Sequence, residues 1–177
     1  MSRPELSLFS YEILGLVGHE GAAPHDLLRM AQRGRILAWA GESQYYVEPK
    51  RLAKLGYLEA RKESGRTRPR TVYSLTDKGL EALKEYAATP VTLTPVKSEP
   101  LLRLLLADLV GERAVRESYA ALLDDLEDLR QRLDESARAA EELPHRRKYL
   151  LIANRHLRRL VDLHAELAEE VERELRD

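Results

Sequence analysis

The 177-residue chain contains no cysteine and only one tryptophan and one phenylalanine. Without thiols there is no disulfide, no thiolate nucleophile and no Cys-based zinc site. His19, His25, His145 and His156 fall at no ligand spacing, so no metal is expected. Long apolar runs are missing as well. The opening MSRPELSLFS lacks the apolar centre of a signal peptide, and the greasiest run, LLRLLLADLVG, carries Arg103 and Asp108 and is too short to span a bilayer. These absences lead to the expectation of a cytoplasmic protein with no membrane partner. The chain also lacks a glycine-rich phosphate loop, a nucleophile elbow and a metal-binding helix motif, so neither an enzyme nor a cofactor is expected.

Charge, by contrast, is plentiful and unevenly placed. A third of the residues are charged, yet the formal net charge is −1. Residues 1–90 hold 14 Lys/Arg against 11 Asp/Glu, whereas 91–177 hold 15 against 19. Within residues 50–70 lie eight basic residues (Lys50, Arg51, Lys54, Arg61, Lys62, Arg66, Arg68, Arg70) and only Glu59 and Glu63 to oppose them. Such a local concentration suits a polyanion. Arg66, Arg68 and Arg70 stand at alternate positions, and on an extended backbone alternate side chains share a face.

Periodicity divides the N-terminal half. In LFSYEILGLVGHEG the residues Leu8, Phe9, Ile13, Leu14, Leu16 and Val17 have helical spacing that Gly18 and Gly21 end. Pro24 suits the first turn of a second helix, with Leu27, Leu28 and Ala31 as its buried stripe. A third helical pattern runs from about Ser43 to Leu55 and stops at Gly56, a left-handed cap. The period then changes to two: YLEARKE and TVYSL flank SGRTRP as a hairpin. Thr76 offers a hydroxyl to cap a further helix through Leu80, Leu83 and Tyr86. Helix, helix, helix, hairpin, helix is the order of a winged helix-turn-helix, whose third helix enters the major groove while the wing follows the backbone.

Pro90, Pro95 and Pro100 mark a linker. Beyond it Val115, Tyr119, Leu122, Leu126, Leu129 and Leu133 form one heptad seam; after Pro144 a second comprises Leu150, Ala153, Leu157, Leu160, His164, Leu167 and Val171. Two such helices joined near Pro144 form an antiparallel hairpin that buries little alone. With Leu101, Leu102, Leu104, Leu105, Leu106 and Leu109 nearby, a second copy of the chain is the simplest cover. The expected fold class is mainly α: a winged helix-turn-helix over 1–88, a linker over 89–99 and a helical dimerisation domain over 100–177.

At about 100° per residue, SQYYVEPKRLAKL turns Tyr45, Pro49 and Leu52 inward. Ser43, Val47, Lys50 and Lys54 face outward, with Gln44, Tyr46 and Arg51 more oblique. In the major groove Gln44 can pair with adenine and Arg51 with guanine, Ser43 and Tyr46 can bond phosphate, and Lys50 and Lys54 hold the backbone. Pro49 breaks the pattern: either the helix kinks there, or it starts near Glu48 with Pro49 in its first turn and Gln44 to Val47 as the approach.

These segments, LSLFSYEILGLVGHEG, SQYYVEPKRLAKLGYLEA and RTRPRTVYSLTDKGLEAL, together with the leucine-rich C-terminal helices, resemble the PadR family of bacterial transcriptional regulators. The resemblance covers nearly the whole chain and is strongest at KRLxxxGYL and YxLTxxG. It implies a homodimeric winged-helix regulator, usually a repressor, released from DNA by a small-molecule effector or another signal. It places Gln44, Tyr46, Lys50 and Arg51 at the DNA; the wing adds Arg66, Arg68 and Arg70. The chain departs from the family in having Val47 where Pro is frequent, and Pro49 where an apolar helix former is usual. Two aromatic or imidazole groups have plainer readings, Trp39 as a core anchor and His164 as a hydrogen-bonded interface residue. The competing function is a winged-helix module whose basic patch binds an acidic partner protein.

Overall fold

The structure, a computed structural model, describes residues 6–33, 40–64, 69–93 and 97–175. It divides into two units, Met1–Thr92 and Leu93–Asp177.

In the first unit, α1 (Leu8–Val17) starts at a reciprocal cap: the Ser7 hydroxyl accepts from the Ser10 N–H at 3.1 Å, and the Ser10 hydroxyl accepts from the Ser7 N–H at 3.0 Å. Ile13, Leu14 and Val17 form its buried stripe, and Gly18 (φ 54°) ends it. Gly21, at φ 79°, brings the chain against the hairpin, where Ala22 and Tyr73 exchange two backbone hydrogen bonds of 2.9 Å. A side chain at Gly21 would place its Cβ 2.8 Å from the Tyr73 carbonyl oxygen. Pro24 opens α2 (Pro24–Arg33), which turns Leu27 and Ala31 inward and leaves Leu28 half-buried.

The third helix, α3 (Gln44–Lys54), ends as its sequence predicts. Gly56 is left-handed (φ 79°), its N–H reaches the Ala53 carbonyl at 3.0 Å, and the Tyr57 N–H reaches the Leu52 carbonyl at 2.9 Å. The hairpin follows as β1 (Leu58–Glu63) and β2 (Arg70–Leu75), antiparallel, with Leu58 opposite Leu75 and Glu63 opposite Arg70. Thr76 caps α4 (Asp77–Ala87): its hydroxyl accepts from the Gly79 N–H at 3.1 Å and donates to the Gly56 carbonyl at 2.7 Å. Thr76 thus joins the end of one helix to the start of the next. One core of Ile13, Leu14, Leu27, Tyr45, Leu52, Tyr57 and Tyr73 unites all these elements.

The second unit begins with two short helices, α5 (Glu99–Leu104) and α6 (Ala107–Val110), and continues as a long antiparallel pair, α7 (Glu112–Ala140) and α8 (Pro144–Glu174). The seam expected on α7 is largely the observed one: Val115, Tyr119, Leu126 and Leu133 are buried, and Leu122 and Leu129 half-buried. The seam expected on α8 is met only in part, at Leu157 and Val171. Its buried line is Asn154, Leu157, Val161, Ala168 and Val171; Ala153 is exposed, and Leu150, Leu160, His164 and Leu167 are half-buried. The apolar residues of α8 cover more than one line of 3–4 spacing, so spacing alone leaves its rotation open. The inward turn of Asn154 is accommodated by its amide, which donates to the Leu133 carbonyl at 2.7 Å. Among the described residues, no helix is long and apolar enough to cross a membrane.

Winged helix, two-stranded wing and helical C-terminal region make up the mainly α fold that the sequence predicts.

Candidate nucleic-acid interface

The candidate surface is built on α3. Tyr45 and Leu52 are buried against α1 and α2, and the Pro49 ring is buried with them. The opposite side is open: Ser43, Gln44, Tyr46, Val47, Lys50 and Lys54 are all exposed, as the helical wheel expects. Of the two alternatives for Pro49, the late start is excluded. The helix begins at Gln44 and contains Pro49, and Gln44 to Val47 are its first turn rather than its approach. That turn is tight, with the Gln44, Tyr45 and Tyr46 N–H groups reaching back three residues to Gly41, Glu42 and Ser43 at 2.9–3.1 Å. Ser43 sits at the N-cap position without a side-chain cap bond, so its hydroxyl stays available on the surface.

The cations of the candidate surface differ in how they are held. Lys50 and Lys54 are exposed and pair with no described carboxylate, so their charge is available to an external anion. Arg70, in the last strand pair before the turn of the wing, lies 3.5 Å from Glu63 and 3.7 Å from Asp26, yet its side chain is half exposed. Such surface pairs are weak and yield readily to a phosphate. Arg66 and Arg68, expected as wing contacts, lie outside the described residues, as does Trp39.

Arg51 is held internally. Its Nε donates to Glu48 Oε2 at 2.8 Å and its Nη2 to Glu48 Oε1 at 2.7 Å, a two-pronged pair. Ser10 of α1 donates to Glu48 Oε1 at 2.7 Å and accepts from Arg51 Nη2 at 3.1 Å. Burial alone would raise the Glu48 carboxyl, but the hydrogen bonds from Arg51 and Ser10 and the Arg51 charge outweigh it, and its pKa lies below the ordinary value. Nearby, Tyr45 donates its hydroxyl to Glu12 Oε1 at 3.0 Å. Glu12 Oε2 is buried with no hydrogen-bond partner among the described residues. Burial therefore pushes the Glu12 carboxyl up, with the Tyr45 bond opposing, and burial also raises the Tyr45 hydroxyl.

Sequence reasoning did not find the Ser10–Glu48–Arg51 cluster. Glu48 and Arg51 at i,i+3 are a visible signal of a helical pair. What the sequence conceals is that Glu48 faces α1, where Ser10 meets it.

Residues 35–89 match the family described as "Winged helix DNA-binding domain". No sequence among the curated proteins matches the chain. Several solved structures share its fold over nearly its whole length. A Streptococcus mutans protein, smu.1604c, superposes with a TM-score of 0.79 at 17% identity, covering 91% of this chain and 96% of that one. Bacillus subtilis PadR in complex with operator DNA gives 0.64 at 21%, covering 93% and 99%; the same protein in complex with p-coumaric acid gives 0.58 at 20%, covering 94% and 99%. The Vibrio cholerae virulence activator AphA gives 0.71 at 21%, covering 94% and 96%. The resemblance to PadR regulators read from the sequence thus holds for the fold, which is PadR-like.

Proposed function

We propose that the chain is a sequence-specific DNA-binding transcriptional regulator that works as a homodimer and represses until a small-molecule effector or another signal releases it. The observation that carries this reading is the open face of α3. Two lysines without carboxylate partners among the described residues, Lys50 and Lys54, flank a polar edge containing Ser43, Gln44 and Tyr46 on a helix whose other side is anchored in the core. Lys50, Lys54 and Arg70 act on phosphates, with Arg66 and Arg68 as the further wing contacts, whereas Gln44 reads base edges and Ser43 and Tyr46 bond the backbone.

Support for a second copy comes from the C-terminal unit. Leu101, Leu102, Leu105, Leu109 and Val110 on α5, α6 and the turn between them, and Tyr149, Ile152 and Leu163 on α8, remain exposed in the single chain. Two copies would present two α3 helices to successive half-sites of a duplex, and an effector that changes the spacing between them would weaken binding. The fold is shared with a PadR crystallised with operator DNA and with p-coumaric acid, which supports this order of events.

The test is selection of bound fragments from genomic DNA by the purified protein, followed by the Lys50→Ala and Lys54→Ala variants on the selected site. Each variant is expected to weaken binding about equally for all sequences and to lower the salt slope by about one. Gln44→Ala is expected to change base preference instead. Fragments bound equally well by the lysine variants would exclude this surface, and recovery of an acidic protein in place of DNA would favour the competing module.

A further inference from the structure

Glu48 is the one carboxylate on a helix otherwise suited to anions, and it is buried, with 7% of its surface exposed. Both of its oxygens are engaged by Arg51, and Ser10 adds a third donor. Arg51 itself is not buried: its side chain is 38% exposed and lies at the border of the open face of α3. Of its five N–H donors, three are used, by Nε and Nη2, on Glu48 and Ser10. The two on Nη1 make no hydrogen bond with any described residue.

We propose that Glu48 is a positioning residue for DNA binding: it grips one edge of the Arg51 guanidinium so that the Nη1 edge stands as a fixed contact for a backbone phosphate. Resting on the reading of the chain as a DNA-binding protein, this assigns to Glu48 and Ser10 a role in that function. A guanidinium is planar, so fixing Nε and Nη2 fixes the direction of Nη1 too, which no arrangement of a lysine ammonium achieves. A free surface arginine loses side-chain freedom when it meets a phosphate, and Arg51 has lost it beforehand. The retained carboxylate does not cancel the contact, because Arg51 has a separate edge for each anion. Ser10, through its bonds to both partners, ties the clamp to α1, so the contact is registered to the domain and not to α3 alone.

The experiment measures affinity and its salt dependence on a DNA fragment selected by the wild-type protein, for Glu48→Gln, Arg51→Ala, Arg51→Lys and the Glu48→Gln/Arg51→Ala pair. Thermal unfolding of each variant verifies that it is folded at the assay temperature. Arg51→Ala is expected to weaken binding roughly tenfold, the scale of one charge-assisted bond, and to make the slope shallower by about 0.9. Glu48→Gln, which sets an amide N–H₂ against the Arg51 donors, is expected to approach the same loss although it removes a negative charge. The double variant should be no weaker than Arg51→Ala alone, and Arg51→Lys, charged but ungripped, should resemble Arg51→Ala more than wild type. Should Glu48→Gln not fold, Ser10→Ala is the milder perturbation, with a severalfold loss expected. Undiminished affinity and slope in Glu48→Gln (or in Ser10→Ala where it replaces it), additive losses in the double variant, or a fully active Arg51→Lys each overturn the positioning role while leaving DNA binding intact. A wild-type protein that binds no DNA overturns the functional reading, and with it this one.

Discussion

Two glutamates at the contact of α1 with α3 are shifted in opposite directions, and the two signs can be tested separately. The Glu12 carboxyl lies above its ordinary value of 4.5 because burial disfavours its charged form. Its stabilising contribution is therefore complete below that value and is lost as the pH rises through the raised one. The Glu48 carboxyl lies below 4.5, so its contribution is present above the ordinary value and is lost as the pH falls through the lowered one. Urea unfolding between about pH 3 and 7 should show the advantage of wild type over Glu48→Gln growing with pH to about 1–3 kcal/mol, the scale of a hydrogen-bonded charge at a partly exposed pair. Its advantage over Glu12→Gln should shrink over the same range. Parallel profiles would contradict both assignments. At this scale the sequence was legible where one residue type has one use: Gly56 as a left-handed cap, Thr76 as an N-cap, Tyr45 and Leu52 as anchors. It was not legible for Glu48, since a charged residue at i,i+3 from an arginine reads as a solvated pair until the facing helix is known.

Among the elements, α4 shows what composition can conceal. Its sequence offers Leu80, Leu83 and Tyr86 as the packing stripe, but its most buried positions are Gly79 and Ala82, and Tyr86 is exposed on one side while stacking on Tyr11 at 4.0 Å. Close approach explains the difference. A Cβ at Gly79 would lie 2.2 Å from the Tyr57 carbonyl oxygen, so the helix start rests directly on the segment leading into β1. Gly79→Ala should accordingly cost about 1–3 kcal/mol of unfolding free energy, as overpacking does, and calorimetry showing no loss would mean that this contact relaxes freely. The same blindness to facing surfaces leaves the rotation of α8 open. Leucine spacing identifies a long helix, yet one of the residues it turns inward is Asn154, which the Leu133 carbonyl satisfies. Asn154→Ala should destabilise the α7–α8 pair by about 1 kcal/mol, measurable as a lower urea midpoint at unchanged slope. Helices, hairpin and their order were readable because period and turn chemistry are local; the face each element buries depends on partners far along the chain.

For the molecule as a whole, the single chain leaves an apolar surface on α5 and α6 that a second copy would cover. Leu105 and Leu109 are 76% and 78% exposed, so in an isolated chain lysine there should change stability by no more than about 0.5 kcal/mol. In the homodimer proposed here the same substitutions should shift the protein toward monomer in sedimentation and weaken DNA binding together. Dimeric variants with unaltered sedimentation would move the interface elsewhere. In the proposed function the open face of α3 and the adjoining wing hold a duplex by its phosphates. The most direct measurement of this is the affinity of the purified protein for the DNA upstream of its own gene as salt is raised. Phosphate binding requires a steep linear fall of log K with log salt, about 0.9 for each phosphate neutralised; a flat line, or no binding at low salt, would rule out this surface as a DNA contact.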